Sequence, residues 1–259
     1  MPSAKRERIR ANQQRLKEQQ LAVARRKKNV KRLAIAVVVA AVVLGAIYLL
    51  TRPQAPAAKS AKSKTSASPA VLANGCPNPD GSAPRRTSFK HYPPQCLNPA
   101  YHYTAVVTTT AGTFDITLEP KLGPKSANNF YVLSLYHFFR GTTFFRVIPG
   151  FVIQGGSPSN NDYGTPGYSF ADKTPPAGSY RIGTVAMANS GAPGTNGSQF
   201  FIISGPSGVQ LPSSYTIFGQ VSKGLPVITK INDGGNAANN GIPPVHTYKI
   251  ESVKILVSK

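Results

Sequence analysis

Apolar and polar positions alternate from Tyr103 onward. Ala105 and Val107 fall on one face and Val106 and Thr108 on the other, and Phe114, Ile116 and Leu118 follow a turn at Ala111-Gly112. That period of two predicts an antiparallel hairpin. After Pro124 the period lengthens. KSANNFYVLSLYHF predicts a helix with proline in its first turn, and its buried stripe is Phe130, Leu133 and Tyr136 or His137. Further strands separated by Gly, Pro and Asn turns follow, then a short helix around Leu225–Ile231 and a closing strand in YKIESVKILV. By alternation Phe145, Phe200, Ile202, Ile203 and Phe218 belong to the core.

A different pattern fills residues 33–50, LAIAVVVAAVVLGAIYLL, with no charge and no strong polar group. Eighteen helical residues reach about 27 Å, against a hydrocarbon core of about 30 Å. The expectation is one transmembrane helix bracketed by Arg32 and Arg52. A cleavable signal peptide is the competing reading, with small residues around Ala55 and Ala57 as its cleavage site. It fits less well, because signal cores run about 7–15 residues after a short basic region.

Charge sharpens the organisation. Residues 1–32 carry twelve Lys/Arg against two Glu, within a whole-chain net charge of +21. A basic segment ahead of an apolar span stays in the cytoplasm, which places the rest outside. Residues 5–32 are good helix formers expected to lie near anionic lipid heads. No base-reading motif or interleaved aromatics support nucleic-acid binding. Residues 51–74 (Ala, Pro, Ser, Lys) predict a flexible linker. Residues 75–100 form a Pro-rich extension carrying both cysteines, Cys76 and Cys96. In an exported segment an even pair predicts a structural disulfide. Metal is disfavoured, since two thiols and His91 do not complete a zinc set. Residues 101–259 are the globular domain.

Candidate chemistry concentrates in FFRVIPGFVIQGG (144–156) and MANSGAPGTNGSQFFII (187–203). Arg146, Gln154, Asn189 and Gln199 are polar groups that an ordinary core would not keep. Among aromatics on converging strands they describe an apolar pocket with polar anchors. No Ser or Cys is grouped with a His and a carboxylate, so hydrolase chemistry has no support. His102, His137 and His246 read as surface or locally satisfied histidines. The glycines at 194, 197, 205 and 208 have no phosphate-binding strand–loop–helix context.

These two segments resemble the signature of the cyclophilin-type peptidyl-prolyl cis-trans isomerases. The resemblance extends from Tyr103 to Val257 through AVVTTTAGTFDITLEP, GPKSANNF, IFGQV at 217–221 and the closing strand. It implies a mainly β fold, a closed eight-stranded antiparallel β-barrel capped by two helices, here preceded by the transmembrane helix and linker. It implies Arg146 as the catalytic residue, with Phe151, Val152, Gln154, Ala188, Asn189, Gln199, Phe201, Leu211 and Tyr215 holding the substrate, and neither cofactor nor metal. The expected partners are proline-containing segments of exported polypeptides, met by a membrane-anchored bacterial enzyme whose domain lies outside the cytoplasm. Three positions depart from the commonest eukaryotic pattern: Val152 for methionine, Gln210 for tryptophan and Tyr215 for histidine. Those departures keep open an alternative, a proline-peptide-binding module or chaperone without turnover.

Overall fold

The computed structural model describes residues 71–259. The basic segment, the apolar run 33–50 and most of the linker lie outside the described residues. Among the described residues no helix is long and apolar enough to cross a membrane.

Eight antiparallel strands form one sheet: β1 His102–Thr109, β2 Gly112–Leu118, β3 Arg146–Ile148, β4 Val152–Gly155, β5 Thr184–Met187, β6 Phe200–Ile203, β7 Ile217–Lys223 and β8 Ile250–Ser258. The predicted hairpin is β1–β2, with Ala105 opposite Ile116 and Val107 opposite Phe114, all buried. The predicted closing strand is β8, paired along β1.

The strand order is β3-β4-β6-β5-β7-β2-β1-β8, so the expected closed barrel is corrected to an open one. β3 and β8 are its edges. Contact between the two ends is confined to residues 141–144 and 248–250, through a single bridge between Thr143 and Lys249 and bonds such as Phe144 N–H to Tyr248 O at 3.1 Å. The reason is local. β3 has three residues and ends at Pro149-Gly150, and its outer edge is taken by the 235–241 loop, where Asn236 N–H donates to Val147 O at 3.0 Å. An edge covered by a loop cannot continue the ladder.

Both predicted helices are present: α1, Pro124–Leu135, packs on β7 and β8, and α3, Leu225–Asp233, packs on β2, β3 and β4. Two elements were not foreseen, a one-turn helix α2, Pro206–Val209, and a 3-10 turn, Asn239–Gly241. α1 is buried on nearly every side, so its polar residues need partners. Asp172 Oδ2 accepts from both the N–H and hydroxyl of Ser126 at 2.7 and 2.8 Å, supplying the helix cap from far along the chain.

All five residues assigned to the core by alternation are buried. Phe200 sits edge-on to Phe130, Phe139, Phe144 and Phe218, with ring centroids 5.4–6.5 Å away. The 75–100 extension joins this core as a strap: Ala83, Phe89 and Leu97 are buried in it. Asn128 of α1 fastens the strap, its Oδ1 accepting from Cys96 and Leu97 N–H and its amide donating to Pro94 O. The predicted disulfide Cys76–Cys96 closes the strap on itself. A loop of that length contributes about 3 kcal/mol in the chain-entropy picture.

Candidate active site

Sheet register builds the site. Arg146 on β3 stands opposite Gln154 on β4, Gln154 opposite Phe201 on β6, and Phe201 opposite Ala186 on β5. Directly paired residues share a face. The row therefore sets a cation, a carboxamide and an aromatic ring side by side on the face opposite the Phe200 core.

The turn between β3 and β4 carries Phe151. Phe151 N–H donates to Ile148 O at 3.0 Å around Pro149-Gly150, and Gly150 has φ +73°. That is type II turn geometry, with proline at the second position and glycine at the third. Asn232 steadies it, its Oδ1 accepting from Gly150 N–H and from the Ser204 hydroxyl. A Cβ on Gly205 would lie 2.2 Å from the Gly150 carbonyl carbon, so only glycine lets these backbones meet.

A groove of about 150 Å³ results, lined by Arg146, Phe151, Val152, Gln154, Ala188, Asn189, Phe201, Leu211 and Tyr215. All nine residues were expected in the site. Gln199 is the exception: it lines an adjoining cavity of about 450 Å³, which shares Gln154, Ala188 and Asn189 with the groove. Gln210 is exposed and does not line the groove. Tyr215 packs edge-on against Phe201 with centroids 5.2 Å apart. Its backbone is pinned by the Tyr180 hydroxyl, which donates to Tyr215 O and accepts from Tyr215 N–H. Burial raises the Tyr180 phenol pKa, so it remains a neutral donor.

Arg146 is held on three sides. One terminal nitrogen donates to Gln154 Oε1 at 2.9 Å, the other to Asn240 Oδ1 at 2.8 Å, and Nε–H donates to Asn240 O at 3.1 Å. Asn240 has φ +54°, the left-handed conformation asparagine tolerates, and both its oxygens bond the guanidinium. A guanidinium has five N–H donors. Among the described residues three are thus taken, which leaves one on each terminal nitrogen for a ligand. Burial pushes the Arg146 pKa down, while Asp162 and Tyr215 push it back up. Arginine nonetheless stays charged in proteins.

The carboxamides continue the chain of bonds. Gln154 Nε2 donates to Gln199 Oε1 at 3.0 Å, and Gln199 Nε2 donates to the carbonyls of Asp162 and Gly164. Asn189 ties its side chain to Ser214 O and Gly191 N–H. The described residues contain no cluster of three or more His, Cys, Asp or Glu that could hold a metal ion.

Asn240 was missed by sequence reasoning. It lies 94 residues from Arg146, in a turn whose only signal is Asn-Asn-Gly. Asn240→Ala is expected to lower kcat about tenfold, the equivalent of one hydrogen bond to a charged group, with KM nearly unchanged. A rise in KM alone would mean that Asn240 contacts the peptide instead of positioning Arg146.

An open eight-stranded antiparallel sheet with an arginine-anchored apolar groove on one face is the class of protein that fold and site define. Residues 104–255 match the family model described as cyclophilin type peptidyl-prolyl cis-trans isomerase/CLD, and the chain belongs to that family. Its activity is peptidyl-prolyl cis-trans isomerisation. The chain is 42% identical over 134 residues to peptidyl-prolyl cis-trans isomerase B of Streptomyces anulatus, covering 46% of this chain and 75% of that one. It is 40% identical over 129 residues to peptidyl-prolyl cis-trans isomerase-like 1 of Neurospora crassa, covering 48% and 78%. Among solved structures it resembles a Cryptosporidium parvum cyclophilin type isomerase crystallised in the presence of the dipeptide Ala-Pro. That likeness has a TM-score of 0.54 and 31% identity over 60% of this chain and 99% of that one.

Proposed function

We propose that this isomerase turns X-Pro bonds in exported or cell-envelope polypeptides, that Arg146 is its catalytic residue, and that residues 33–50 hold it to the membrane. The observation that carries the catalytic reading is the Arg146 fork, fixed by Gln154 and Asn240 beside an apolar slot, with one N–H free on each terminal nitrogen.

Rotation about an X-Pro bond faces a barrier of about 18–20 kcal/mol, because it breaks amide resonance. In the twisted state the proline nitrogen becomes pyramidal and more basic. One free N–H of Arg146 points at that nitrogen, and the other is left to hold a carbonyl of the peptide outside the rotating amide. The contact to nitrogen strengthens as the amide twists and frees the lone pair, which is stabilisation of the transition state over the ground state. The proline ring rests on Phe151, Phe201 and Leu211, and Val152 sets the depth of the slot. The Asn189 backbone pairs with the residue before proline as a short strand. The dipeptide Ala-Pro, present in the crystals of the Cryptosporidium relative, carries both a proline ring and the residue before it. No residue changes its covalent state.

Two features support the location. The apolar run 33–50 follows a strongly basic segment. The Cys76–Cys96 bond belongs to oxidising compartments and is rare in the cytoplasm. Protease added to intact cells whose outer layers admit it is expected to digest the 71–259 domain and spare a tag at the N-terminus. A protected domain with a digested tag would reverse the topology, and release of the domain without membrane disruption would remove the anchor.

A further inference from the structure

The strap, residues 75–100, lies far in sequence from the groove, yet a continuous set of bonds connects the two. Phe89 N–H donates to Pro166 O at 2.8 Å. The contact is close: a Cβ on Gly167, whose φ is +98°, would lie 2.3 Å from Phe89 O. The Phe89 ring packs edge-on against Tyr168 at 6.3 Å and Tyr136 at 5.3 Å, and the Arg86 guanidinium covers its other side at 4.5 Å. The strap thus grips the 162–168 loop from outside.

From inside, the same loop presents the carbonyls of Asp162 and Gly164 to Gln199 Nε2, both at 2.9 Å. Gln199 Oε1 accepts from Gln154, and Gln154 Oε1 accepts from Arg146. A second route reaches the same glutamine. The Tyr168 hydroxyl donates to Asn129 Oδ1, and Asn129 Nδ2 donates to Gly197 O, two residues before Gln199.

A carboxamide can present either its oxygen or its amide, and its partners decide which. Two carbonyls on Gln199 Nε2 force its oxygen toward Gln154. Gln154 must then donate to Gln199 and show its own oxygen to Arg146. If the loop withdraws its carbonyls, Gln199 is free to turn its amide toward Gln154, and two donors would then face each other. Arg146, which only donates, still draws the Gln154 oxygen, but Gln154 loses the bond that fixes its other end.

We propose that the disulfide-closed strap is a positioning element for catalysis: by clamping the 162–168 loop through Phe89 it secures the Gln199–Gln154 bond, which holds Gln154 where it aims Arg146. This inference rests on the catalytic reading of Arg146. It predicts an effect on turnover that travels through Gln199 and that added stability would not produce.

The test is a double-mutant cycle on the full chain with an Ala-Ala-Pro-Phe chromogenic peptide, rates being normalised to the folded fraction. Gly167→Ala wedges loop from strap, and Phe89→Ala removes the ring packing without touching the loop backbone. Should one variant fail to fold, the other completes the cycle. Each is expected to lower kcat about fivefold, the scale of one lost hydrogen bond, with KM little changed. In a Gln199→Ala background, where the relay is already cut, the same substitutions are expected to have almost no effect on kcat. Unchanged kcat in the Gln199 parent, or an equal loss in both backgrounds, would overturn the proposal. Arg146→Ala run alongside separates the two claims. Undiminished turnover there sinks the catalytic reading and this inference with it, whereas a large loss there with no coupling to Gln199 sinks this inference alone.

Discussion

Replacing Arg146 with alanine is expected to lower kcat/KM for a proline tetrapeptide by about a hundredfold to a thousandfold. Removing one preorganised donor aimed at developing charge costs about 2.7–4 kcal/mol, and each 1.36 kcal/mol is tenfold in rate. Most of the loss should fall on kcat, because the apolar floor of Phe151, Phe201 and Leu211 survives and continues to bind the ring. The fold should survive as well, since the Arg146 side chain faces the groove and not the core. Arg146→Lys is expected to recover little. A lysine is a point charge on a flexible stem, and it cannot bond Gln154, both oxygens of Asn240 and a substrate carbonyl together. A protease-coupled assay at matched folded concentration measures both variants. A loss below about threefold for alanine would move the chemistry elsewhere.

The second large effect is on stability. Phe200→Ala is expected to destabilise the domain by about 3–5 kcal/mol, read as a lower urea midpoint at unchanged slope. Phe200 is 1% exposed and touches four other phenylalanine rings edge-on, so its removal leaves a cavity that several stiff rings cannot fill. A loss under about 1 kcal/mol would show that those rings collapse into the space. The neighbouring Phe201 points the other way, into the groove. One residue of register separates the centre of the core from the floor of the site.

That alternation is why so much of the site was legible. Period-two patterning in β1 and β2 marked their buried faces, and the same rule separated Phe200 from Phe201. The groove residues other than Gln199 stand together because Arg146, Gln154 and Phe201 come into register across three adjacent strands. What stayed hidden depends on contacts between distant segments. Asn240 reaches Arg146 only because β3 is short and its outer edge is covered by the 235–241 loop. The same loop accounts for the open barrel, since it occupies the edge on which β8 would have paired. The Asp172 cap on α1 and the burial of Phe89 are likewise long-range. Pro-rich strap sequence has no periodicity from which burial could be read, yet its backbone and aromatic rings are fastened by Asn128, Pro166 and Tyr168. Gln199, expected in the proline groove, lies one bond behind it, where it acts on Gln154 instead of lining the slot.

The departures at Val152, Gln210 and Tyr215 do not disturb this arrangement. Val152 is buried in the groove wall and Tyr215 packs on Phe201. Gln210 lies exposed just beyond the one-turn helix α2. None of the three touches the bonds that aim Arg146.

Exchange spectroscopy by NMR at equilibrium tests the catalytic claim most directly, because it needs no coupling protease and sees both isomers of one proline peptide. With a sub-stoichiometric amount of the full chain, cis–trans exchange cross-peaks absent from free peptide are expected to appear on the sub-second scale, and to vanish with Arg146→Ala while the peptide still binds. Cross-peaks of equal strength in the two proteins, or binding with no exchange in either, would contradict the account.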